Sequence, residues 1–281
     1  GVSDMGPGTA TSMVAIVADN LHWPKEKIRF EMGDSSLPPG PMQGGSGTTS
    51  TLGSAVLKVC ETLSKEMKTV AQEKIAAFKD VPLEEIVLDS GYLYPKSNEQ
   101  GKIAASEIVR ASGKSKMEWK ESSQRLIPEQ FKFAAHSFSV HFTRLKVHQR
   151  TGEIKLMHIV TIGDAGKIIN EKTARSQMIG GVVGGIGMAL TEEVKIDHSI
   201  GKISNANFSE YKVPRHPQIP QIDVWFVDKP DKEVNALGAK GLAEISLIGL
   251  AASIGNAVYN ATGQRVRDLP ITPGKLGFPS A

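Results

Sequence analysis

Cysteine is nearly absent: Cys60 is the single one in 281 residues. That excludes an internal disulfide framework and any cysteine-built zinc or iron–sulfur site on this chain. A strong excess of one charge is missing too. Lys and Arg number 33 against 30 Asp and Glu, a net charge of +3 with both signs mixed along the chain, which is too mild for a nucleic-acid surface. No apolar run is long enough to span a membrane; "MIGGVVGGIGMAL" is too short and too rich in glycine. Seven histidines are present, but no pair makes a helical H-x-x-x-H site, and His136 and His141 lie five apart on a predicted strand and face opposite sides. No secretory leader pattern is visible. An initiator Met is also lacking, and the chain opens inside the patterned segment "GVSDMGPGTATSM", which reads as part of something longer.

What is there suits one large globular domain or two lobes sharing a core. Hydrophobic residues make up 40% and charged residues 22%, and the 28 glycines point to tight turns and close backbone approaches. "GTATSMVAIVADNLH" has Thr9 or Thr11 as a possible cap and apolar residues at helical spacing through Leu21. "KIRFEMGD" alternates like a short strand. A loop rich in proline and glycine then opens a long helix with Leu52, Val56, Val59, Leu63, Met67 and Val70 on one face, where Cys60 is read as core. "EIVLDSGYLYP" reads as a hairpin turning at Ser90-Gly91, and residues 103–112 as a short helix. A polar stretch at 113–135 places a lobe boundary near residue 130. Beyond it, "HSFSVHFTRLKVHQ" and "IKLMHIVTIGDAG" flank the turn "RTGE". "EKTARSQMIGGVVGGIGMALTEE" is a helix of small residues that lets another backbone pack closely, and strands broken by prolines follow. The last helix runs from Ser246 to about Ala261, with Gly263 as its C-cap. The expectation is an α+β fold of two lobes, residues 1–130 and 131–281, each mixing helices with a mostly antiparallel or mixed sheet.

Two loops attract functional attention. "DMGPGTAT" and "GGSGTTST" each place glycines and then small hydroxyl residues at the start of a predicted helix. Bare backbone N–H groups at the positive end of a helix suit a phosphate or another anion; the same pattern also serves as an ordinary turn and cap. Neither loop is a Walker A sequence, for no Lys closes it, and Thr48 stands where a hydrolase elbow needs its last glycine.

Glu244 is the only charge between Gly241 and Gln264. A carboxylate in apolar surroundings is costly unless it is paired or kept neutral. One reading pairs it with Lys240 or sets it at the N-terminus of the following helix. The other makes it a general base in a pocket floored by small residues.

Six ordered segments carry a resemblance: "DMGPGTATSMVAIVADNL", "GDSSLPPGPMQGGSGTTSTLGSAVLKVCETL", "TGEIKLMHIVTIGDAGKIIN", "SQMIGGVVGGIGMALTEE", "NFSEYKVPRHPQIPQIDVWFVD" and "NALGAKGLAEISLIGLAASIGNAVYNATGQRVRDLPITPGKL". Over nearly its whole length the chain resembles the C-terminal part of the molybdenum-binding large subunit of the xanthine dehydrogenase/aldehyde oxidase family, close to bacterial aldehyde and isoquinoline oxidoreductases. The resemblance implies the family's molybdenum cofactor-binding type of fold. It implies hydroxylation of aldehydes or N-heteroaromatics with water as the oxygen source. The metal would be carried by a pyranopterin, often the cytosine dinucleotide form, with no protein side chain as metal ligand. Glu244 matches the family's catalytic glutamate, a general base favoured by partly dry surroundings. Gly45, Ser46, Gly47 and Thr48 match a cofactor loop, and Gly6, Gly8 and Thr9 another. Gln177 matches the glutamine that opens the small-residue helix, and Lys240 and Gly241 lie beside the pterin.

The chain departs from the pattern in three places. Pro7 replaces a frequent Gln, Gly184 stands where some members carry Gln, and Ala243 replaces the usual Gly before Glu244. Implied partners are the N-terminal remainder of the large subunit, an iron–sulfur subunit, usually a flavin subunit, and a small aldehyde or heteroaromatic substrate. The compartment stays open between cytoplasm and periplasm. The remainder carries much of the family's substrate pocket, so the chain alone is expected to be inactive and to hold no cofactor. The alternatives are a non-catalytic cofactor-binding or assembly module, and an anion- or nucleotide-binding domain without chemistry.

Overall fold

The computed structural model describes residues 1–123 and 134–278. These form two compact units, Gly1–Ala135 with Pro230–Ala239, and His136–Lys229 with Lys240–Ala281. The expected boundary at residue 130 lies outside the described residues. The segment Pro230–Ala239, expected in the second lobe, belongs to the first unit.

In the first unit, α1 (Thr9–Leu21) and the long α2 (Thr48–Lys74) pack side by side. Gly53 makes the close approach possible: a Cβ there would lie 2.7 Å from Ile16 Cδ1 and 2.7 Å from Leu237 Cδ2. Leu21, Cys60, Met67, Ala71 and Phe78 share one core with Ile86 and Leu88 of β1 (Ile86–Asp89) and Leu93 of β2 (Tyr92–Pro95). Full burial of such side chains stabilises by roughly 1.5–3 kcal/mol each. The β1–β2 hairpin turns at Ser90 and Gly91, both at positive φ (51° and 84°), as a two-residue turn matched to strand twist requires. β3 (Ile103–Ala104) completes this sheet and runs into α3 (Ala105–Ala111). Glu121 holds the segment after α3 to α2, accepting from Thr62 Oγ1 at 2.8 Å and pairing with Lys58 at 3.1 Å.

Two expectations for this unit are corrected. "KIRFEMGD" forms no strand: Ile28 is extended, but among the described residues no neighbouring strand supplies a hydrogen-bonding ladder. Neither Thr9 nor Thr11 caps α1; Thr9 is already the first helical residue and Gly8, in the left-handed region at φ 77°, precedes it.

In the second unit, β4 (Phe138–Val147) and β5 (Ile154–Asp164) form the expected antiparallel hairpin, with Gly152 at φ 69° in its turn. β8 (Gln221–Phe226) pairs parallel to β5 and gives the sheet order β4-β5-β8. A small hairpin, β6 (Ile196–Asp197) and β7 (Lys202–Ile203), stands apart from that sheet. α4 (Glu171–Leu190) is capped by Asn170, whose side chain accepts from Thr173 N–H at 3.2 Å. The expected last helix is broken in two, α5 (Ile245–Ile248) and α6 (Leu250–Thr262), with Gly249 between them. Gly263 closes α6 in the left-handed region at φ 72°, donating its N–H to Tyr259 O. Val182, Ile186, Leu250, Ile254 and Val258 of the helices meet Leu156 and Ile159 of β5 in one core. The class is α+β.

Candidate active site

The residues singled out from the sequence divide between the two units. Gly6, Gly8, Thr9, Gly45, Ser46, Gly47 and Thr48 lie in the first, and Gln177, Lys240, Gly241 and Glu244 in the second.

Within the first unit the two glycine loops are neighbours. Gln43, just before α2, donates to the Ser3 carbonyl and its Oε1 accepts from Ser3 Oγ. Leu21, at the far end of α1, packs in one cluster with Cys60 and Met67, well along α2. The two helices therefore run in the same sense and bring their positive ends together.

The loops differ in what fills them. Asp4 occupies the first: its Oδ1 accepts from the N–H of Gly6 (2.9 Å) and Gly8 (3.2 Å), and its Oδ2 from that of Thr9 (2.8 Å). The bare N–H groups expected there for an external anion are thus taken by the chain's own carboxylate. Asp4 stands two residues before Gly6, the local side-chain-to-backbone pattern typical of aspartate. That signal is legible in the sequence.

In the second loop the Gly47 N–H donates to the Gly44 carbonyl at 3.3 Å. No side chain caps α2. Gly45 is at φ 60° and Ser46 at φ 55°, and Gly47 follows in the right-handed region. Left- and right-handed residues in succession turn consecutive N–H groups to one side, the arrangement that binds anions. A Cβ on Gly45 would meet nothing within 4 Å, so the backbone borders open space. This loop fits a phosphate-bearing group.

In the second unit, α4 is the floor for the segment carrying Glu244. A Cβ on Gly181 would lie 1.9 Å from Ser246 Oγ and 2.9 Å from Ala243 O, and one on Gly185 2.8 Å from Leu250 Cβ. The small-residue stripe admits the α5–α6 backbone, as its composition predicts. Gly184 faces the same partner, 2.9 Å from Leu247 Cδ1 by the same measure. Gln177 sits half-buried in the second turn of α4. Among the described residues the non-glycine positions at positive φ are His22, Ser46 and Ser90. Ala243 is not one of them, so the methyl that replaces the family's glycine sits on unstrained backbone.

Glu244 stands at the N-terminal end of α5, with its carbonyl accepting from Leu247 N–H at 3.1 Å. Its side chain is exposed; the dry surroundings expected of a base are not built by the described residues. Lys240 makes a different ion pair from the one considered in the sequence. Its Nζ lies 3.1 Å from Asp164 Oδ1, with the lysine side chain only 8% exposed. Its N–H donates to Ala165 O at 2.7 Å, and its Nζ stands 6.0 Å from the centre of the Phe138 ring. Burial works to raise the Asp164 carboxyl, but the Gly166 N–H and the Lys240 ammonium outweigh it and hold it below the usual carboxylate range. Asp164 was not singled out beforehand, although it lies in the quoted "TIGDAG".

Cys60 is 3% exposed, and burial, with a smaller contribution from Glu61, pushes its thiol up to about 11, so it is no nucleophile. Among the described residues no three His, Cys, Asp or Glu side chains could together hold a metal ion. No helix of the described residues is long and apolar enough to cross a membrane.

Comparison with known proteins gives a consistent result. Residues 1–220 match the model of the molybdopterin cofactor-binding domain. The aldehyde oxidoreductase molybdenum-binding subunit PaoC of Escherichia coli K12 is 34% identical over 275 residues, 98% of this chain and 36% of that protein. The chain thus spans about a third of the length of the curated relatives it matches. Among solved structures, quinoline 2-oxidoreductase from Pseudomonas putida 86 superposes with a TM-score of 0.80 at 19% identity, covering 98% of this chain and 35% of that one. CO dehydrogenase from Oligotropha carboxidovorans gives 0.81 at 20% identity, covering 98% and 34%. The chain belongs to the molybdopterin cofactor-binding domain family of xanthine dehydrogenase/aldehyde oxidase type.

Proposed function

We propose that the chain is the C-terminal cofactor-binding part of a molybdenum hydroxylase that oxidises aldehydes or N-heteroaromatics with water as the oxygen source, and that Glu244 is its general base. The observation that carries the reading is the placement of Glu244. The chain on either side of it, at Ala243 and Ser246, lies against Gly181 of α4, and its side chain is exposed, which suits a base that must meet a substrate.

Each remaining residue has a place in this reading. The loop from Gly45 to Thr48 borders the phosphate of the pyranopterin, in its cytosine dinucleotide form, with the Gly47 N–H itself bonded to the Gly44 carbonyl. Gly6, Gly8 and Thr9 border the cofactor through open space rather than through N–H groups, which Asp4 holds; a Cβ on Gly6 meets nothing within 4 Å. Gln177, Lys240 and Gly241 line the pterin, with Lys240 fixed by Asp164. When bound, the molybdenum cofactor supplies the two-electron oxidation. The Glu244 carboxylate takes the proton released as water oxygen becomes bonded to the substrate carbon. Electrons leave through an iron–sulfur subunit and a flavin subunit, and the N-terminal remainder of the large subunit completes the pocket.

The test is to co-express the chain with its upstream region and partner subunits, then measure molybdenum, pyranopterin and aldehyde turnover together. Cofactor with turnover supports the proposal, whereas the absence of cofactor from a fully assembled complex contradicts it. Stoichiometric cofactor without turnover would favour a non-catalytic cofactor-binding or assembly module, a reading to which the Asp4-filled loop and Pro7 lend some support.

A further inference from the structure

The inward face of β4 is polar where a core-facing strand is ordinarily apolar. Ser139, His141 and Thr143 alternate along it, partly buried, while Phe138, Val140 and Phe142 point the other way and are more than half exposed. The period of two in a strand puts the three polar residues on one side, and each of them reaches the α5–α6 segment. Ser139 Oγ donates to the Ile245 carbonyl. Ser253 Oγ lies 2.9 Å from Thr143 Oγ1 and donates to the His141 carbonyl at 3.1 Å.

The His141 ring extends this seam. Its Nε2 lies 3.1 Å from Ser139 Oγ. A hydroxyl has one proton, and Ser139 gives it to Ile245, so the imidazole must donate through Nε2–H. Nδ1 is then a bare acceptor, and it is buried without a hydrogen-bond partner among the described residues. A charged ring would carry a second proton there with nothing to receive it. Burial also lowers the affinity of His141 for that proton, although the nearby Ile245 carbonyl opposes the effect. Gly249 makes room for the ring: a Cβ there would lie 2.9 Å from His141 Cδ2.

Ile245 follows Glu244 directly. In an unbroken helix its carbonyl would accept from the N–H of Gly249. Here the Gly249 N–H bonds Leu247 O, the helix breaks, and Ser139 takes the Ile245 carbonyl instead. His141 to Ser139 to Ile245 is therefore a short relay from the sheet to the turn that bears the carboxylate.

We propose that Ser139, oriented by His141, is a positioning residue for Glu244: it anchors the first carbonyl of α5 and thereby sets the direction in which the Glu244 carboxylate leaves the helix. This rests on the reading of Glu244 as the base. Neither Ser139 nor His141 touches the reacting atoms in that reading, and both act through the backbone.

The test uses the assembled, molybdenum-loaded complex with Ser139→Ala, Ser139→Thr and Glu244→Gln. Hydrogen exchange at Leu247 and Ile248, whose N–H groups bond Glu244 O, gives a readout independent of turnover. Ser139→Ala is expected to speed that exchange several-fold and to lower kcat roughly tenfold or more, since small misplacements of a reacting group are costly. KM and molybdenum content should be unchanged, and Ser139→Thr, which keeps the hydroxyl, should restore both exchange and kcat. Wild-type exchange and kcat in Ser139→Ala, alongside an inactive Glu244→Gln, overturns the positioning role and leaves the base assignment standing. An active Glu244→Gln overturns the base assignment and this proposal with it. Where Ser139→Ala does not assemble, His141→Phe keeps the ring and removes the proton given to Ser139; wild-type kcat in that variant overturns the proposal, and a fall in kcat at constant KM supports it.

Discussion

Single side chains decide which parts of the site are open. Asp4 shows how a local choice redirects an anion-binding pattern: the first glycine loop has the expected shape, but a carboxylate two residues upstream already satisfies its donors. Lys240 and Asp164 show the converse. Lys240 stood out in the sequence beside Glu244, while its ion-pair partner lies 76 positions away on β5, a separation that no local pattern reveals.

Removing that pair has a defined consequence. Asp164→Asn should destabilise the protein by about 1.5–3 kcal/mol at neutral pH, because a largely buried ammonium loses a charged hydrogen-bond partner, and urea unfolding measures this. The pH dependence follows from the direction of the shift. The folded carboxyl is held below its ordinary value, so the contribution is fully present above the unfolded value of about 4 and is lost as pH falls through the folded one. The gap between wild type and Asp164→Asn should therefore shrink on acidification; a gap that widens contradicts the ion pair. Cys60 yields a simpler expectation. Its thiol, buried and pushed up to about 11, should resist a maleimide near neutral pH in the native protein and react once the protein is unfolded.

At the level of elements, the helices and hairpins were largely legible and the pairing was not. The apolar spacing of α2, the Ser90-Gly91 turn and Gly263 closing α6 are local signals, and the structure follows them. "KIRFEMGD" alternates like a strand but finds no ladder, because a strand exists only through a partner and its sequence does not name one. β4 misleads in another way. Alternation located the strand correctly, yet its polar residues point inward to α5 and α6 while its aromatics are exposed. Hydrophobic alternation says where a strand is, and only tertiary contacts say which face is used.

The break at Gly249 belongs to the same class. It goes with a hydrogen bond to the Ile245 carbonyl from a serine 106 positions earlier. The α4 stripe, by contrast, declared itself by composition, and it makes a testable demand. Gly181→Val would drive its side chain into Ser246 and the Ala243 carbonyl, and overpacking of this kind is expected to destabilise by about 2–3 kcal/mol. Calorimetry should show a lower Tm, and a variant as stable as wild type would contradict the close α4–α5 approach at Gly181.

For the whole molecule, Gly45–Thr48 lie in the first compact unit and Glu244 in the second. The chain covers 36% of the length of PaoC, and the proposed activity assigns the remaining pocket and the electron path to other parts of such an assembly. The 281-residue chain by itself is accordingly expected to purify without stoichiometric molybdenum and to oxidise no aldehyde; metal analysis beside a turnover assay checks this directly. The family was legible in the order of six segments. The proposal of Glu244 as base comes only from that resemblance, since an isolated carboxylate at a helix start has an ordinary structural explanation as well.

The most direct measurement compares aldehyde turnover per bound molybdenum in the assembled complex carrying wild-type Glu244 or Glu244→Gln. Loss of a general base predicts a fall of roughly 10²–10⁴-fold with molybdenum content unchanged. Equal turnover per molybdenum in the two proteins would contradict the assignment of Glu244 as the base.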